Sequence, residues 1–123
     1  MFVINADKSI YLTRGDIAAI EVSANTEENT QYIFKSGDVV RFRVTEKGRL
    51  DEMVLSKDVI VENESTVVTI NLDSSDTKIG ELINKPKDYW YEVELNPETL
   101  PQTFIGYDAN GPKIFRLFPE GED

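Results

Sequence analysis

The sequence predicts a mostly β domain: an antiparallel β-sandwich, immunoglobulin-like in general architecture, with one short helix near residues 75–83. Three observations carry this. Apolar side chains recur at every second position in the longer segments, the pattern of strands with one face in a core and the other in water. Gly, Asp, Asn and Pro punctuate the chain between those segments. About eight or nine such segments fit into 123 residues, which suits a sandwich or a partly open barrel.

Along the chain, strands are expected at 9–12, 17–23, 32–34, 40–44, 52–56, 66–72, 88–95, 103–107 and 113–118. In 40–44, Val40, Phe42 and Val44 share a face opposite Arg41 and Arg43, and in 66–72, Val68, Ile70 and Leu72 point inward. In 88–95, Tyr89, Tyr91, Val93 and Leu95 form the core face, and Trp90, Glu92 and Glu94 form the other. Turns fall at Gly15-Asp16, Ser36-Gly37-Asp38, Lys47-Gly48 and Ala109–Pro112, where Asn110-Gly111 suits a hairpin. The helix is expected to be capped by Ser74, Ser75 or Asp76, stopped by Lys85-Pro86-Lys87, and packed through Ile79, Leu82 and Ile83. Residues 1–118 read as one domain and 119–123 as an acidic, mobile tail.

Composition narrows the chemistry. Thirteen Lys and Arg against 23 Asp and Glu give a net charge of −10, which disfavours long-range attraction to nucleic acid or to anionic lipid. No apolar run approaches the ~20 residues of a membrane-spanning helix, and the N-terminal residues lack the pattern of a signal peptide. The chain has neither His nor Cys, so Ser-His-Asp and Cys-His catalysis, thiolate zinc sites and disulfides are excluded. Carboxylate, Lys or Tyr chemistry and oxygen-only cation binding survive.

The surviving motifs have simple structural readings. Arg14-Gly15-Asp16 is the integrin tripeptide, but it precedes a strand as Ser36-Gly37-Asp38 does, so both read as turns. The oxygen-rich run 71–77 lacks the ligand order of a calcium loop and reads as a helix cap. Glu92 and Glu94 have the spacing of paired carboxylates, yet nothing supplies a pocket that would separate their pKa values, so they read as a solvated face. Trp90 shares that face, and exposed aromatics are enriched at interfaces. Arg41 and Arg43, with Lys47 and Arg49, form a basic stripe suited to the acidic face of a neighbouring copy.

In order and spacing, four of these segments resemble the N-terminal domain family of phage upper baseplate proteins and related small prophage structural proteins of Gram-positive bacteria. They are Ile10–Asp16, Tyr32–Val44, Thr69–Leu72 running into Asp76-Thr77, and Tyr89–Leu95, where the family pattern is a YxYDIEL-like strand. The chain departs from that pattern in Glu92-Val93-Glu94 and in the loop 96–101. The resemblance implies a non-enzymatic virion protein, a tail or baseplate assembly or connector component made in the bacterial cytoplasm. Its partners would be other virion proteins or further copies of itself, with no nucleic acid, membrane, metal or cofactor. Trp90, Arg41 and Arg43 are the expected interface residues. The alternative is a carbohydrate-binding or adhesive β-sandwich module using Trp90 and neighbouring tyrosines as a stacking platform.

Overall fold

The computed structural model describes residues 2–26 and 28–120. Nine strands and one helical turn follow in the order β1 (Phe2–Ile4), β2 (Ile10–Thr13), β3 (Ala18–Val22), β4 (Val39–Glu46), β5 (Arg49–Ile60), β6 (Val68–Leu72), α1 (Ser74–Thr77), β7 (Lys87–Leu95), β8 (Gln102–Ile105) and β9 (Lys113–Phe118). The fold is mostly β, as expected. Its strands divide seven and two: β1-β2-β9-β7-β4-β5, with β8 also on β7, and a separate β3-β6 pair. An immunoglobulin constant domain divides four and three. All pairings are antiparallel except β2 with β9.

The core lies between the sheets because alternation sends one side of every strand there. Val40, Phe42, Val44, Tyr89, Tyr91, Val93, Phe115 and Leu117 face Ile20, Val22, Val68, Ile70 and Leu72, all buried. Phe42 is central, its ring 5.4 Å from that of Tyr91 and 6.2 Å from that of Phe115. The Tyr91 hydroxyl, whose pKa burial pushes well up, donates to the Lys8 carbonyl.

Both Gly-Asp steps are turns of one kind. The Asp16 N–H donates to the Thr13 carbonyl and the Asp38 N–H to the Lys35 carbonyl, each at 3.0 Å. Gly15 (φ +89°) and Gly37 (φ +94°) hold the third position, where a left-handed backbone is required. Asp38 then works as a hub, accepting from the Lys35 N–H, the Tyr32 hydroxyl and the Asn96 amide. Burial pushes its carboxyl up, but those donors together hold it below the usual range.

Four expectations need correction. The helix stops after Thr77 instead of running to residue 83. Asp73 is its cap, accepting from the Asp76 N–H while the Asp76 carboxylate accepts from the Asp73 N–H. Beyond it, the Arg14 guanidinium takes the Gly80 carbonyl and the Ile79 carbonyl, which a helix running to residue 83 would give to the Ile83 N–H, and Gly80 is left-handed (φ +66°). Ile79 still reaches the core, whereas Leu82 is exposed. Second, residues 32–34 form no strand, only a bridge from Phe34 to Ser65. Third, the turn at Asn110-Gly111 closes on an Asp108–Gly111 bridge, but its flanking strands both pair with β7 and not with each other. Fourth, Glu120 of the expected tail is tied to Arg14 at 2.7 Å, while residues 121–123 lie outside the described residues.

Candidate interaction face

The three residues singled out from the sequence lie on one surface, the outer face of the seven-stranded sheet. β4 and β7 are antiparallel neighbours with Arg41 opposite Glu94, Arg43 opposite Glu92 and Thr45 opposite Trp90. Since cross-strand partners stand ~5 Å apart, this register places an Arg-x-Arg segment against a Glu-x-Glu segment. The Arg43 guanidinium lies 2.6 Å from the Glu92 carboxylate and 3.5 Å from that of Glu94. Arg41 forms a two-pronged pair with Asp58 at 2.8 and 3.0 Å and reaches Glu98 at 2.9 Å. These partners raise the Arg41 pKa, and Arg41 holds the Asp58 carboxyl below its ordinary range.

The acidic partner expected on a neighbouring copy is therefore supplied within the chain. Glu92 and Glu94 keep only 15% and 16% of their side-chain exposure, so they are an ion-paired ladder and not the solvated face the alternation suggests. Further along the sheet, Arg116 pairs with Asp88 at 2.6 Å and lies over the Tyr11 ring, whose centroid is 5.7 Å from that of Phe118.

Trp90 is half-buried, with the Tyr107 ring set edge-on at 6.0 Å. Tyr107 is 68% exposed and acts as its cover. Beneath it, the Trp90 Nε1–H and the Thr45 hydroxyl are buried with no hydrogen-bond partner, an uncommon pair of orphans on directly opposed residues. Tyr107, Asp58 and Glu98 were missed from the sequence, because alternation assigns faces but not neighbours. One signal was present: the matched Arg-x-Arg and Glu-x-Glu spacings on outward faces.

The integrin tripeptide is a turn whose arginine points inward, donating to Ile79, Gly80 and Glu120. The oxygen-rich run is the α1 cap, with Asp76 also held by Lys57 at 2.9 Å. Among the described residues, no group of three or more acidic side chains could hold a metal ion. No family model, curated protein or solved structure matches the chain.

Proposed function

We propose that this protein is a non-enzymatic structural component of a phage or prophage virion, an assembly or connector part of the tail or baseplate that docks through the face around Trp90. The observation that carries the reading is the placement of Trp90, Arg41 and Arg43 on the outer face of the seven-stranded sheet, with the largely exposed Tyr107 ring set against Trp90. The charges on that face are already matched to one another, which lowers the cost of desolvating them against a partner. Aromatics at the centre of such a face are the usual anchors of an interface. The ordered likeness of four segments to baseplate proteins supports the virion context.

The test has two arms. Mass spectrometry of purified particles from induced cells should find the chain at a fixed ratio to the tail proteins; its absence from particles would overturn the reading. Tyr107→Ala, at an exposed position, and Trp90→Ala should each reduce incorporation while the free protein stays folded by circular dichroism. Full incorporation of both variants would remove the docking face. Glycan binding lost in Trp90→Ala would replace assembly with the carbohydrate-binding alternative.

A further inference from the structure

β7 offers one of its edges to two strands in succession. β9 takes residues 87–91 and β8 takes 93–95. Beside β9 the sheet continues through β2 to β1, but beside β8 it stops. β2 begins at Ile10 opposite Phe115, and just before it the chain turns away at Lys8, whose backbone is left-handed (φ +69°). Its carbonyl is fixed there by the Tyr91 hydroxyl. At the level of β8, the next position in the sheet, about 4.8 Å further out, is therefore unfilled. Among the described residues, β8 makes strand pairings with β7 alone, so its outward N–H and C=O groups are left to solvent.

The far wall of this slot comes from the second sheet. Past β3 the chain folds back on itself, closed by the Asn25–Gln31 bridge and by the Tyr32 N–H donating to the Ala24 carbonyl at 2.8 Å. Between the walls lies a groove of about 1160 Å³ that all four residues of β8 line. Ala24, Leu95 and Ile105 are buried at its base, and Phe104 is half-buried. Its exposed rim is largely neutral amides and hydroxyls, including Asn25, Gln102 and Thr103, with Lys8 and Glu28 offsetting each other. In a chain of net charge −10, the described lining of this groove carries no net charge.

We infer that this slot receives an extended polypeptide segment of a partner protein, added to β8 as a further strand. β8 carries a bulge at Phe104, yet its open edge of main-chain donors and acceptors is still matched by another extended backbone, the mode of recognition called strand addition. At ~3.3 Å per residue, β8 offers about 13 Å of edge, enough for four or five residues of the segment. The base calls for apolar side chains at alternate positions, and the neutral rim calls for uncharged polar ones between them. The inference stands apart from the docking face around Trp90.

The probe is a displayed library of octapeptides alternating apolar and uncharged polar residues, selected against the full chain. Selected peptides should slow amide exchange at residues 102–105. Asn25→Trp, at an exposed position lining the slot, should weaken them by about tenfold or more, while Met53→Ser on β5 should not. Circular dichroism of each variant separates loss of binding from loss of fold. The inference is overturned if no peptide is selected above the starting library, or if selected peptides bind Asn25→Trp undiminished or protect other residues. Binding of a neutral oligosaccharide, lost in Asn25→Trp while peptides stay inert, would assign the groove to sugars instead.

Discussion

Replacing Arg14 should unfasten the chain just past the end of the β2–β9 pairing. Its side chain is only 10% exposed, and the guanidinium donates to the Gly80 carbonyl at 2.7 Å, the Ile79 carbonyl at 3.2 Å and the Glu120 carboxylate at 2.7 Å. Hydrogen bonds to a charged donor contribute roughly 1.5–3 kcal/mol each when buried. Gly80 is exposed, so its carbonyl regains water when Arg14 is lost, and its bond is taken at about 1 kcal/mol. The Glu120 side chain is 34% exposed, so that pair is discounted to below about 1 kcal/mol. With the buried Ile79 bond and the apolar stem of the side chain, Arg14→Ala should cost about 3 kcal/mol. For a chain of this size, that lowers Tm by roughly 10 °C. Urea unfolding followed by fluorescence gives the free energy directly. Arg14→Lys keeps the charge but loses the fork and should recover less than about half of the loss. Glu120→Gln should cost about 0.5 kcal/mol. An Arg14→Ala protein within about 1 kcal/mol of the parent would refute this account, as would full recovery by lysine.

Thr45→Val removes a buried hydroxyl that has no partner while keeping the branched shape, so it should stabilise the protein by about 1 kcal/mol in urea titration. A loss of stability would mean that the hydroxyl is satisfied after all. The pH profile should be flat from about pH 5 to 9, since the chain has no His and its shifted groups titrate outside that window. Asp58, Asp73, Asp88 and Asp108 are held below the ordinary carboxylate range by Arg41, the Ser75 hydroxyl, Arg116 and Lys113 respectively. Their contribution is complete above the unfolded value of about 3.9 and is lost as pH falls through the lower folded values. Lys57 is raised by Asp76, so its contribution is lost only as pH rises past about 10.4. A stability step between pH 5 and 8 would contradict this assignment.

What was legible in the sequence depended on how local its cause was. β9 has the expected bounds and β7 begins one residue early, because their alternation is uninterrupted and their turns are marked. β1 was missed, since three residues carry too little period to register, and it is held by pairing with β2. The helix was overextended because Ile79, Leu82 and Ile83 have helical spacing, while the donor that claims the Ile79 carbonyl, Arg14, lies 65 positions away from it. A cap is a local matter, and the Asp-rich start was recognised, although Asp73 fills the role. Trp90, Arg41 and Arg43 were assigned to the correct strand faces. Their neutralisation was invisible, because nothing local says that β4 lies beside β7.

The position of β9 between β2 and β7 also governs when the fold can be completed. β9 comes last among the strands in sequence, yet it occupies an interior place in the sheet, joining residue 10 to residue 115. During synthesis, β3 to β8 can assemble as their residues emerge, but the β1–β2 hairpin has nowhere to attach until residues 113–118 have left the ribosome. Contacts so distant along the chain make for slow closure, on the order of milliseconds to seconds. Through that interval Ile10 and Leu12, fully buried in the finished fold, wait exposed to the aggregation that unpaired apolar strands invite.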